Sequence, residues 1–116
     1  MTNKNYICGR NKEYLAKKQL EANGSYVTRS AGSKGIFDLV AITHERVTLI
    51  QVKTTKRVSS PNFTEATYRL DIDAIRTVTK IPPNCDKQLW VWLDHKGWVK
   101  YKVTDTELIE FERFQY

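Results

Sequence analysis

The most constraining feature of the sequence is a pair of apolar segments interrupted by three polar residues. Residues 36–43 and 47–54 are rich in β-branched and other apolar residues, which predicts two strands. Asp38 lies in the first strand, and Gln51 and Lys53 lie in the second. A carboxylate inside an apolar strand is costly unless a partner satisfies it, so we expect function at these positions.

The short polar link between the two strands predicts their register. If the strands pair symmetrically about His44-Glu45, Asp38 faces Gln51. Lys53 lies on the same face as Gln51, because side chains alternate along a strand. A carboxylate oxygen, an amide oxygen and an ammonium group would converge there, and such oxygens can hold Mg²⁺ together with waters and a phosphate. The alternative is a structural ion pair between Asp38 and Lys53, with Gln51 facing solvent.

The rest of the chain predicts a mixed α/β domain, in which helices flank a central sheet. The predicted order is α-β-β-β-α-β-β, the polar segment 56–63 is expected to be a loop, and the tail after residue 103 is ambiguous between a helical turn and an extended arm. The further elements are predicted as helices at 11–22 and 71–79 and strands at 25–30, 88–94 and 98–103.

Composition limits the class of protein. With 116 residues the chain fits one domain. Its net charge of +6 favours a polyanionic partner such as nucleic acid, and the alternative is an ordinary basic protein without such a partner. No apolar run is long enough to span a membrane, and no apolar leader is visible, which predicts a cytoplasmic protein without a membrane partner. Cys8 and Cys85 are isolated, so a zinc ribbon or a disulfide scaffold is not expected.

Several residues together resemble the archaeal-type Holliday junction resolvases of the PD-(D/E)xK, or restriction-endonuclease-like, nuclease superfamily. The resemblance is carried by Glu13, Gly32-Ser33, the segment 38–41 and the segment 51–53, in this order and spacing. The matching motifs lie within residues 9–55. The order of the later helix and hairpin agrees with the family more loosely. The resemblance implies a restriction-endonuclease-like fold with residues 1–116 as a single nuclease domain. The implied activity is Mg²⁺-dependent cleavage of four-way DNA junctions by a homodimer, with Mn²⁺ as a substitute metal.

The resemblance also implies a role for each matching position of the strand pair. Asp38 would be the central metal ligand, Gln51 would take the second ligand position, and the backbone carbonyl of Val52 would be a further ligand. Lys53 would be the catalytic lysine. Glu13 would reach the same site from the first helix and help to hold metal or water.

Other positions are expected to support catalysis or to contact DNA. By the resemblance, Ser33 would sit in a loop that supports catalysis, and Arg10 and Arg29 would approach DNA phosphates. Three more basic residues would lie near the same strand end: Lys34, Lys56 and Arg57. For Lys56 and Arg57 the alternative is a solvated charged loop.

Two positions depart from the family pattern. Gln51 stands where an acidic residue is usual, which removes one negative charge and should weaken metal binding, and Glu13 would compensate. Phe37 stands where the superfamily name has proline, a change that suits a strand. The alternatives are therefore a related nuclease acting on flaps, nicks or plain duplex, and a non-catalytic DNA-binding module that retains the fold. The dimer interface is expected at the tryptophan-rich hairpin or at the aromatic tail.

Overall fold

The structure, a computed structural model, describes residues 4–30, 35–56 and 60–114, with side chains from residue 10 onward. These residues form three helices and one six-stranded sheet. The elements are α1 (Lys4–Ala22), β1 (Tyr26–Arg29), β2 (Leu39–Ile42), β3 (Val47–Thr55), α2 (Pro61–Thr67), α3 (Arg69–Arg76), β4 (Cys85–Leu93), β5 (Gly97–Val103) and β6 (Leu108–Arg113). Within these ranges, no helix is both long and apolar enough to cross a membrane.

The strands follow one another across the sheet in chain order, from β1 to β6. Neighbouring strands are antiparallel except β3 and β4, which run parallel. A parallel pair needs a crossover connection, and α2 and α3 supply it. The sheet is therefore mixed, as the sequence predicts.

The predicted register of the central hairpin is confirmed. Leu39 pairs with Ile50 and Ile42 pairs with Val47, so the strands close symmetrically about the polar link. The backbone N–H of Thr43 donates to the carbonyl of Arg46 at 2.9 Å and closes the turn. β2 is shorter than predicted, and Asp38 lies directly before its first residue.

Each face of the sheet is covered by its own helical layer. On one face Ala16 of α1 is fully buried, and Leu20 packs against the same apolar cluster. On the other face Ile72 and Ile75 of α3 are fully buried. The first cluster consists of Ala16, Val27, Leu39, Ala41, Ile50, Val52, Trp90 and Trp98, and the second of Ile72, Ile75, Leu89, Val91, Val99, Tyr101, Val103 and Leu108. Trp90 and Trp98 are thus buried within a single chain.

Three features of the secondary structure, two in the element order and one at an element boundary, differ from the prediction. The predicted loop at 56–63 contains the start of α2, because the Ser60 side chain accepts the N–H of Phe63 and Pro61 occupies the first turn, which begins a helix rather than breaking one. The ambiguous tail forms β6, which adds a sixth strand at the sheet edge. α1 begins seven residues before the predicted Asn11.

Candidate metal centre

An open cleft of about 450 Å³ lies beside the start of β2 and the second half of β3. Because these two strands are antiparallel, the start of one lies beside the end of the other. This places the polar residues of the two predicted strands in one site. The cleft is lined by Glu13, Gly35, Ile36, Asp38, Gln51, Val52, Lys53, Asp71 and Ala74.

Asp38 is tied to the neighbouring strand through its side chain. Its Oδ2 accepts the backbone N–H of Val52 at 2.8 Å. The second carboxylate oxygen is not needed for this bond, since a carboxylate has two acceptor atoms. The bond holds the carboxylate of Asp38 beside Gln51 and Lys53, which is the convergence that the register predicts.

Glu13 reaches the cleft from α1. It lies on the core-facing side of the helix, three residues before the buried Ala16. Its Oε1 accepts a hydrogen bond from Nε of Arg29 at 2.9 Å, and both side chains are largely shielded from solvent. The guanidinium of Arg29 also lies over the ring of Tyr14, 4.7 Å from its centroid. Within the chain, Arg29 therefore forms an ion pair with Glu13.

Asp71, in the first turn of α3, is a residue of the cleft that sequence reasoning missed. Its Oδ1 lies 3.3 Å from Nζ of Lys53 and accepts a hydrogen bond from Nε2 of Gln51, also at 3.3 Å. The alternative of an Asp38–Lys53 ion pair with a solvent-facing Gln51 is thus wrong in both parts: Lys53 pairs with Asp71, and Oε1 of Gln51 is buried. An acidic residue four positions before the core residue Ile75 was the available signal, because residues four apart share a helix face.

Two carboxyl groups of the cleft, those of Asp38 and Glu13, have raised pKa values. Burial raises the pKa of Asp38, although the Val52 N–H and the charges of Lys53 and Arg29 oppose the rise. Burial also raises the pKa of Glu13, and the negative charge of Asp38 raises it further, while Arg29 opposes both effects. A bound cation would favour the ionised form of both groups.

The oxygen atoms of the cleft fit a hard divalent cation. The described residues contain no group of three or more His, Cys, Asp or Glu side chains that could hold a metal. Asp71 is engaged with Gln51 and Lys53, so the cleft instead offers the carboxylates of Asp38 and Glu13 and the amide oxygen of Gln51, and this Oε1 is buried with no hydrogen-bond partner in the described structure. Mg²⁺ commonly takes one or two carboxylates and completes its shell with waters and phosphate oxygens. An unpartnered buried oxygen on a residue that lines this cleft is consistent with a metal ligand.

The remaining predicted site residues are only partly placed by the structure. Arg10 is exposed on α1, and Lys56 is exposed directly after β3. Their contacts with DNA stay predictions, as do that of Arg29 and the metal-ligand role of the Val52 carbonyl. Ser33, Lys34 and Arg57 lie outside the described residues.

No family model matches the sequence, and no curated protein matches it either. Among solved structures, the chain is similar to that of Archaeoglobus fulgidus Hjc, described as a Holliday junction resolvase from an archaeal hyperthermophile. The two share 16% sequence identity at a TM-score of 0.61, and the match covers 90% of this chain and 83% of that one. At this identity the likeness shows the fold. The chain therefore has a resolvase-like α/β fold, in agreement with the predicted fold class.

Proposed function

We propose that this protein is a structure-specific endodeoxyribonuclease that resolves four-way DNA junctions by Mg²⁺-dependent phosphodiester hydrolysis as a homodimer. The observation that carries the proposal is the cleft, where Asp38, Gln51 and Lys53 converge with Glu13. The resolvase-like fold supports it independently, since that fold is shared with a Holliday junction resolvase.

Each residue of the cleft has a chemical task in this proposal. Asp38, Glu13 and Gln51 would hold the metal, which when bound supplies a more acidic water and stabilises charge on the phosphate. Lys53 places an ammonium group beside these oxygens, where it neutralises the negative charge that develops on the phosphate during hydrolysis. Asp71 keeps this ammonium group within 3.3 Å of a carboxylate and so limits where it can point.

The positive charge of the chain supports a nucleic-acid substrate. The net charge is +6, although the cleft itself is acidic. Exposed cations therefore lie outside the cleft, and among the predicted DNA contacts Arg10 and Lys56 are exposed in the structure. Contacts of lysine and arginine with phosphates position DNA without reading its sequence. This suits an enzyme that selects a branched shape.

The homodimer is proposed because two symmetric cuts in a junction require two active sites. Trp90 and Trp98 are buried in the single chain, so the exposed part of the aromatic tail is the better candidate for the interface. Ile109 and Phe111 of the edge strand β6 are both substantially exposed. Phe111→Glu should shift the protein from dimer to monomer in sedimentation analysis. A wild-type protein that is monomeric both alone and on the junction would contradict this part of the proposal.

Cleavage of a synthetic four-way junction tests the proposed activity. The matched substrate is a linear duplex with the same sequence as one pair of arms, incubated under the same conditions with Mg²⁺ or Mn²⁺. We expect paired cuts in the junction and little cleavage of the duplex, with no cleavage in the presence of a chelator.

The other outcomes identify the alternatives. Equal cleavage of junction and duplex, or preferred cleavage of flaps or nicked DNA, would indicate a related nuclease with another substrate. A wild-type protein that binds the junction but cleaves nothing with either metal would indicate a non-catalytic DNA-binding module, a role that the neutral ligand at Gln51 favours.

A further inference from the structure

The side chain of Asp71 contacts two cleft residues that the proposed function uses, although it was not itself predicted as part of the site. Its Oδ1 accepts from Nε2 of Gln51 and lies 3.3 Å from Nζ of Lys53. Asp71 comes from α3, on the connection between β3 and β4, whereas its two partners come from β3. The contact therefore joins the crossover helix to the strand of the candidate metal ligands.

The contact determines which end of the Gln51 amide points away from Asp71. A side-chain amide has a donor end and an acceptor end, whereas an ionised carboxylate only accepts hydrogen bonds. Facing Asp71, the amide must present its NH₂ group, because the opposite orientation would place two acceptor oxygens together. The amide oxygen is consequently turned away from Asp71, and it is buried without a hydrogen-bond partner in the described structure. Buried acceptors without a partner are rare, so a water molecule or a cation is expected to supply the partner that the described residues do not.

The need for such a partner follows from the departure at this position. The residue that the resemblance leads one to expect at position 51 is acidic, and a carboxylate presents an oxygen whichever way it is turned. A glutamine presents an oxygen in only one of two orientations. The negative charge missing at Gln51 is instead present on Asp71, whose Oδ1 accepts a hydrogen bond from the Gln51 amide.

We infer that Asp71 is a positioning residue that orients the Gln51 amide so that its oxygen is available to a divalent cation. The inference rests on the proposed function, because it assumes that the cleft binds the metal. It extends that function by assigning Asp71 and Gln51 to one interdependent pair.

Mn²⁺ titration of the purified full-length protein without DNA tests the pair, with isothermal calorimetry as the readout. Asp71→Asn is made in the wild type and in a Gln51→Glu background. In the wild type, the substitution lets the Gln51 amide turn either way, and we expect Mn²⁺ affinity to fall about 10-fold, the size typical of residues that orient metal ligands. In the Gln51→Glu background, Asp71→Asn places an amide at position 71 that donates to the carboxylate at position 51. The substitution also removes the repulsion between the two acids. There we expect the same substitution to leave Mn²⁺ affinity unchanged or to raise it.

The opposite response in the two backgrounds separates orientation from simple charge. If Asp71 acted only by attracting the cation, Asp71→Asn would weaken Mn²⁺ binding to a similar extent in both backgrounds, and that result would overturn the inference. Asp73→Asn is the matched control, since Asp73 is an exposed residue of the same helix whose nearest cation is Arg69 at 4.0 Å. It should leave the affinity within about twofold, as expected for exposed surface pairs. Thermal unfolding of every variant confirms that it is folded.

Failure of this inference can be told apart from failure of the proposed function. Equal losses in the two backgrounds, with a wild type that binds Mn²⁺ and cleaves junctions, would refute the orienting role alone. A wild type that binds Mn²⁺ with the expected opposite responses, but cleaves no DNA, would refute the nuclease and support the pair. A wild type that binds no Mn²⁺ would overturn both.

Discussion

Two lysines of the sheet meet acidic partners in different surroundings. Lys100 of β5 contacts Glu112 of β6, lies 3.9 Å from the ring centroid of Trp90, and has a side chain only 5% exposed. Lys53 of β3 lies 3.3 Å from Asp71 in the open cleft, and its side chain is 31% exposed. Both sites pair a lysine with a carboxylate, but only one of them is open to a ligand.

The difference between the two sites separates a structural ion pair from a candidate active site. At Lys100 the ammonium is enclosed by its carboxylate partner and an aromatic face, so its charge is compensated inside the protein. In the cleft three carboxylates, those of Glu13, Asp38 and Asp71, lie near the two cations Lys53 and Arg29. The surplus of negative charge and the unpartnered oxygen of Gln51 leave this site incomplete in a way that a divalent cation would correct.

The largest effect on stability is expected at the closed site. Glu112→Gln leaves the ammonium of Lys100 buried without its counter-charge, and we expect a loss of about 3 kcal/mol in the free energy of unfolding. Urea denaturation measures the loss. The control is Glu21→Gln on the surface of α1, which removes an exposed pair with Lys17 and should change stability by less than about 0.5 kcal/mol. A similarly small change for Glu112→Gln would show that the closed site is not a strong structural pair.

At the open site the effect should fall on activity instead. Lys53→Ala removes the ammonium group that neutralises charge on the phosphate, and we expect junction cleavage to slow about 100-fold. The free energy of unfolding should change by less than about 1 kcal/mol, because the pair with Asp71 is partly exposed. The matched control is Lys80→Ala, an exposed lysine between α3 and β4 that should leave the rate unchanged. A stable, fully active Lys53→Ala protein would remove the main distinction between the two sites.

A smaller effect, of opposite sign, is expected for Asp38→Asn in the absence of metal. Burial raises the pKa of Asp38 in the folded protein, so ionisation of this group opposes folding. The stability that its protonated form contributes is fully present below the ordinary carboxyl pKa and is lost as pH rises through the raised value. Asp38→Asn removes this loss, and asparagine can still accept the Val52 N–H. We therefore expect a gain on the order of 1 kcal/mol at neutral pH.

Urea denaturation at neutral and acidic pH, with a chelator present, measures this gain. It should shrink as pH falls and wild-type Asp38 becomes protonated. Adding Mn²⁺ should then stabilise the wild type more than the variant, since a ligand stabilises the folded state that binds it. A variant that is less stable than the wild type at neutral pH with chelator would contradict the view that the ionised Asp38 carboxylate opposes folding.

Much of the central hairpin was predictable because its determinants are local. The polar link sets the register, and strand alternation then places Asp38, Gln51 and Lys53 on one side of the sheet. Glu13 was predicted only from the family resemblance, and in the structure it lies three residues before the buried Ala16 on the same side of α1.

The parts that sequence reasoning missed depend on non-local packing or on residues with two possible effects. The spacing of Asp71 and Ile75 was a local signal that Asp71 shares the core-facing side of α3, but its contact with β3 depends on how the crossover helix packs beside that strand. Ser60 and Pro61 are equally suited to a turn and to a helix start, and here they begin α2. β6 was ambiguous because an edge strand exposes apolar residues such as Phe111, which hides its alternation.

The most direct test of the cleft as a metal-dependent nuclease centre is single-turnover cleavage of a four-way junction in Mg²⁺. Wild type, Asp38→Asn and Glu112→Gln are compared at a temperature where all three are folded. We predict that the wild type cleaves, that Asp38→Asn binds the junction but cleaves at least about 100-fold more slowly, and that Glu112→Gln cleaves at the wild-type rate despite its lower stability. Cleavage by Asp38→Asn at the wild-type rate, or no cleavage by the wild type with either Mg²⁺ or Mn²⁺, would contradict the account.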